Sequence, residues 1–176
     1  LFRAAARSGD PARRTALLQD ARETLELLKK AELRDYFRDE CVDALEEKKR
    51  PLDAFSRTAT IVYPVVLPDR LELLVTLPDG LRAFSVPVGE EELRAEVHAF
   101  RSLLEKRTTR EYVPHAQQLH AWLVAPFEKE LEGLAVEALV FIPDGPLRTI
   151  PMAALHDGER FLIERYPVAT APGLDL

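Results

Sequence analysis

Residues 59–89 read ATIVYPVVLPDRLELLVTLPDGLRAFSVPVG, and their turn residues leave little choice of fold. Pro68-Asp69 and Pro78-Asp79-Gly80 cut a β-rich stretch into three runs. Proline presets one turn position, aspartate bonds to nearby backbone, and glycine accepts φ values closed to other residues. In the middle run Leu71, Leu73, Val75 and Leu77 alternate with Glu72 and Thr76, the period of a half-buried strand. Such short connections join antiparallel strands, so the stretch predicts a three-stranded meander. Pro64 removes a ladder donor from the first strand, which predicts an edge position or a bulge there.

Helical periodicity flanks the meander on both sides. Before it, Asp10 is placed to cap a helix and Pro11 suits the first helical position. Leu17, Ala21, Leu25 and Leu28 then recur as one apolar stripe. The preceding LFRAAAR reads as the end of an earlier helix, so the two form an αα-hairpin around a Gly-Asp-Pro corner, the unit of helical repeat proteins. After the meander, Leu93, Val97, Phe100 and Leu104 step at helical spacing. A second helix follows from Pro114, which Pro126 should kink or split and Gly133 should stop. VEALVFI is a continuous apolar run of strand length, which predicts a strand buried on both faces. PMAAL predicts one helical turn, and HDGERFLIERYPVA another turn with one or two further strands. The order predicts an α+β fold: a repeat-like helical hairpin over residues 1–50, then meander, helical pair and further strands over 51–176.

Composition narrows the function. The 176 residues carry a formal charge of -6 and are 47% hydrophobic, ordinary for a globular chain. Residues 1–50 hold 12 Lys and Arg against 11 Asp and Glu, and residues 51–176 hold 12 against 19. Neither part offers the basic field that nucleic acid binding needs. No apolar run approaches a membrane span, so neither nucleic acid nor membrane is an expected partner. Cys41 is the one cysteine, which excludes an internal disulfide framework and is compatible with a reducing, cytoplasmic setting. The opening LFRAAARSGD carries no initiator Met and no signal-peptide pattern, and reads as a piece of a longer protein.

Candidate chemistry is sparse. Cys41 sits among Asp39, Glu40 and Asp43, whose charge opposes a reactive thiolate, and reads as a packing residue. His98, His115, His120 and His156 lack metal-site spacing: His115 and His120 are five apart, and no HExxH occurs. They read as surface or half-buried histidines. No GxSxG elbow frames Ser8, Ser56, Ser85 or Ser102. Glu90, Glu91 and Glu92 read as an acidic helix start, and Trp122 and Phe127 as helical packing residues. The strand-ending turn Pro143-Asp144-Gly145-Pro146 resembles a phosphate loop only superficially, because its prolines delete two N–H donors. It predicts a rigid corner that returns Leu147 and Ile150 to the core. No catalytic, cofactor-binding or metal-binding residue is expected.

The segments ALVFIPDGPLRTIPMAALHDGERFLIERYPVA, ARETLELLKKAELRDYFRDECV and IVYPVVLPDRLELLVTLPDG closely resemble bacterial TPR–CHAT proteins. CHAT is a caspase-like domain associated with tetratricopeptide repeats. The most specific part is Pro143, Asp144, Gly145, Pro146, Leu147 and Arg148, then Ile150 and Pro151. The resemblance implies that residues 51–176 are the N-terminal part of a CHAT region with the first strands of a caspase-like α/β sheet. It further implies a cysteine peptidase relative with a catalytic His in a HLATHG-like motif and a Cys in a LSACxTG-like motif. Both motifs lie downstream of the PDG segment in the family, and neither occurs here; Cys41 and His156 match neither. The parent is then expected to be a caspase-like protease with a repeat-based protein-binding arm, or a non-catalytic scaffold. Exposed strand edges add an expectation of self-association.

Overall fold

The structure, a computed structural model, describes residues 1–37, 59–106, 109–134 and 136–173. The expected division at residue 50 lies outside these residues, as does Cys41. The elements are α1 (Phe2–Arg7), α2 (Pro11–Phe37), β1 (Ala59–Val66), β2 (Leu71–Leu77), β3 (Gly80–Val86), α3 (Glu90–Leu104), α4 (Tyr112–Leu123), α5 (Ala125–Leu131), β4 (Ala138–Phe141), two 3₁₀ turns (Gly145–Thr149 and Met152–Ala154), α6 (Leu162–Arg165) and β5 (Val168–Thr170). The fold is α+β. The meander and the later strands form one mixed sheet in the order β3-β2-β1-β4-β5. β1–β2 and β2–β3 are antiparallel, while β4 runs parallel to both β1 and β5.

Local signals act where the sequence places them. Asp10 Oδ1 accepts the Ala12 N–H at 3.0 Å, capping α2, which begins at Pro11. The helix after Pro114 breaks at Val124, with Pro126 in the first turn of α5. Gly133, φ +80°, lies just past its end.

The position of β1 is a correction. It is the central strand, neither at an edge nor bulged, and its register with β2 is unbroken through Pro64↔Leu73. The missing donor is harmless for a geometric reason. Val62 C=O accepts the Ile142 N–H, so the polar groups of Val62, and of Pro64 two residues on, face β4. But β4 ends opposite Val62, so no ladder partner waits at Pro64.

Two layers of helix cover the sheet. On one face Leu71, Leu73, Val75, Leu139 and Phe141 pack with Leu93, Val97 and Phe100 of α3 and with Leu119, Leu123 and Phe127 of α4 and α5. On the other, Ala5 of α1 and Leu18 of α2 pack with Ile61, Tyr63, Leu74 and Ile142. This second layer overturns the half-buried reading of β2, which is buried at every residue. Glu72 tolerates burial because its carboxylate accepts from Arg70 Nε at 2.6 Å. β4 is the converse case. Leu139 and Phe141 are fully buried, but Ala138 and Val140 on its other face are only half covered.

The stripe of α2 follows expectation in part. Ala21 is buried, and Leu17 and Leu25 are half-buried against the cluster that holds Leu18, but Leu28 is exposed with Leu27, and the further buried positions are Glu26 and Lys29. The buried carboxylate and ammonium are there because the sheet offers partners. Tyr63 donates its hydroxyl to Glu26 Oε1 at 2.6 Å, and Lys29 reaches the turn after β4.

Candidate functional site

The turn after β4 stands at the carboxyl ends of the parallel strands β4 and β5, where open α/β sheets place their ligand crevices. Its conformation follows from its residues. Pro143 is buried and ends the ladder. Asp144 caps the first 3₁₀ turn, its Oδ1 accepting the Gly145 N–H at 2.9 Å. Gly145 has φ +48°, a left-handed value that costs other residues about 1–2 kcal/mol. Leu147 and Ile150 are buried in the larger core layer, while Pro146 is half-buried and Arg148 and Pro151 are exposed.

A polar cluster surrounds this corner. Lys29, whose side chain is 6% exposed, donates from Nζ to Asp144 Oδ1 at 2.9 Å and to the Pro143 carbonyl at 3.4 Å. Arg148 donates from Nε to the same carbonyl at 3.3 Å and from Nη2 to Asp144 Oδ1 at 3.2 Å, and also pairs with Glu32. Burial pushes the Asp144 carboxyl upward, but the Lys29 hydrogen bond and charge, the Gly145 N–H and Arg148 outweigh it and hold the pKa below the usual aspartate value. Beside the cluster lies a cavity of about 470 Å³, bounded by Glu32, Asp35, Arg148, Thr170 and Pro172.

This chemistry is that of a clasp rather than an anion cradle. The Gly145 N–H is taken by Asp144, and two prolines bring no donor. Lys29 and Arg148 are matched by Asp144 and Glu32, so the cluster carries no surplus positive charge. Sequence reasoning found the turn but missed Lys29 and Glu32, which lie on α2 more than a hundred positions away. The only local signal was a lysine on the face of α2 that carries Leu18 and Ala21.

The histidines separate. His98 is exposed on α3. His115 Nδ1 meets Glu96 Oε1 at 2.7 Å, joining α4 to α3. His156 Nδ1 accepts the Gly158 N–H at 2.9 Å and its ring stands edge-on to Phe161. His120 departs from the expected surface or half-buried setting: it is 5% exposed, and its Nε2 has no partner among the described residues. Burial lowers its pKa; Glu128 and Asp157 oppose that, while Arg165 and His156 add to it. Nearby, burial acts to raise the Asp157 pKa, but the Arg160 and Glu159 N–H groups and Arg165 bring it down to about 2. Trp122 is half-buried and Phe127 buried against Phe84. Among the described residues no three His, Cys, Asp or Glu side chains are placed to share a metal ion, and no helix is long and apolar enough to cross a membrane.

Residues 113–176 match the family model of the CHAT domain. The matched segment runs from α4 through the clasp turn to β5 and supports a CHAT-domain protein. A search of the curated proteins finds no match to this chain.

Proposed function

We propose that this chain joins a helical-repeat arm to the N-terminal part of a caspase-like CHAT region in a longer, cytoplasmic protein, and that it supplies framework rather than catalytic groups. The observation that carries the reading is the CHAT match over 113–176, centred on a turn at the carboxyl ends of two parallel strands. In this reading the parent is a cysteine protease. Its His and Cys follow the PDG segment, and its thiolate attacks a peptide carbonyl with assistance from the imidazole. The clasp fixes the end of β4 and so contributes to the rigid sheet on which such a dyad is mounted. The αα-hairpin is the end of a protein-binding arm.

A second reading, a scaffold without catalysis, draws support from Leu27 and Leu28, which α2 exposes at 66% and 56%. Cleavage of a peptide library separates the two. The 176-residue chain is expected to be inactive. The longer protein is expected to cleave, and to lose activity when the downstream motif Cys is replaced by Ala. Activity in the chain alone, abolished by Cys41→Ala, would overturn the framework role. A longer protein lacking both motifs would leave only the scaffold.

A further inference from the structure

We propose that the groove between the α1–α2 hairpin and the edge strand β3 receives an acidic peptide in extended conformation, added to the sheet as a sixth strand. This goes beyond the protease reading and does not depend on it.

The backbone makes the first argument. β3 closes a two-residue hairpin at Leu77↔Gly80, and the register continues through Val75↔Arg82 and Leu73↔Phe84. In an antiparallel ladder alternate residues turn their polar groups to the partner and away from it. Leu81, Ala83 and Ser85 therefore present N–H and C=O groups outward, and none has a backbone partner among the described residues. That row is what an added strand pairs with.

The side chains make the second. Leu81, Ala83 and Ser85 share their face with Leu74, the face that α1 and α2 cover. A cavity of about 560 Å³ remains between them and the hairpin, floored by Phe2, Ala6 and Leu18. The exposed Ala83, Ser85 and Ala6 keep it open because they are small.

Charge selects the occupant. Arg3, Arg14, Arg70 and Arg82 line this cavity, against one carboxylate, Glu72. Arg70 is committed to Asp69 and Glu72, and Arg82 to Asp79 and Glu130. Arg14 bonds only the Ser8 carbonyl, with no carboxylate partner among the described residues. Arg3 pairs with Asp69 where both side chains are more than half exposed, a pair that contributes little and exchanges readily. Two arginines thus remain for carboxylates on an incoming strand. The chain's net charge of -6 opposes an acidic partner at long range, so these arginines act at contact, on dissociation more than on encounter.

The test uses fluorescence anisotropy of the 176-residue chain with labelled short peptides of alternating Asp and Val, alternating Lys and Val, and oligouridylate. The Asp peptide is expected to bind, and more weakly as salt rises. Arg14→Glu and Arg3→Glu should each weaken it about tenfold or more, with unchanged melting of the free protein. Lys129→Glu, on α5 across the sheet, should not. Hydrogen exchange should show the Leu81, Ala83 and Ser85 amides protected by the peptide. Equal binding by the arginine variants, preference for the Lys peptide or oligouridylate, or binding without protection of those amides would overturn the proposal. No arm involves cleavage, so the result stands apart from the protease reading.

Discussion

The two faces of the central sheet are held by different means. Against α3, α4 and α5 the sheet presents Leu71, Leu73, Val75, Leu139 and Phe141, a large apolar contact with the Arg82–Glu130 pair between β3 and α5 beside it. Against α2 a smaller cluster around Leu18, Ile61 and Leu74 is flanked by Tyr63–Glu26 and Lys29–Asp144. Apolar burial is roughly proportional to area and indifferent to direction. Hydrogen-bonded ion pairs add little net stability but tolerate only one geometry. The larger layer thus supplies cohesion, and the α2 layer supplies position.

The widest gap should come from truncation in the two layers. Phe100→Ala opens a cavity among fully buried neighbours and should cost about 4 kcal/mol in urea unfolding, whereas Leu18→Ala at the thinner layer should cost about 2 kcal/mol. Equal losses would break the distinction between the faces. Next is the clasp. Asp144→Ala leaves the Lys29 ammonium buried and should cost about 2 kcal/mol, while Lys29→Met leaves a half-exposed carboxylate that water can reach and should cost under about 1 kcal/mol. The reverse order would show that the carboxylate, not the ammonium, is the strained partner.

The smallest effect is a pH dependence within the apolar layer. His120 has a lowered pKa in the fold, so the unfolded chain takes up its proton first as pH falls past about 6.5. Stability should decline below that point and be restored above it. Asp157, brought down to about 2, acts lower: its contribution is complete above about 4 and is lost as pH falls toward 2. Melting curves of His120→Leu should show a flatter profile between pH 4 and 6.5 than the parent, whereas His98→Ala, at an exposed site, should not. An unchanged slope in His120→Leu would remove His120 as the cause.

What the sequence made legible was local. Pro68-Asp69 and Pro78-Asp79-Gly80 determined the meander, Pro126 the break between α4 and α5, and Asp10-Pro11 the start of α2, because each acts through its own φ, ψ or N–H. What it hid depended on distant partners. The alternation of β2 suggested a wet face, but α2 comes from the other side of the sequence to cover it. Pro64 suggested an edge, yet it sits in the central strand just past the point where β4 stops. The clasp turn was found, and Leu147 and Ile150 lie buried beyond it, but Lys29 could not be assigned to Asp144 from spacing alone. His120 read as one more helical histidine because the charged groups that reach it, Glu128, Asp157, Arg165 and His156, come from later in the chain and not from its neighbours in α4.

The separation of Lys29 from Asp144, 115 positions, bears on how the molecule is made. At about 5–20 residues per second, a ribosome adds Asp144 roughly 6–23 s after Lys29. For that interval α2 has no strand end to hold, and Ile142, part of the sheet surface that Leu18 packs against, is also still to come. The α1–α2 hairpin is therefore made well before the strand end that fixes it on the sheet. A chaperone that masks Leu18 during translation would act in that interval, while the surface it packs against is incomplete.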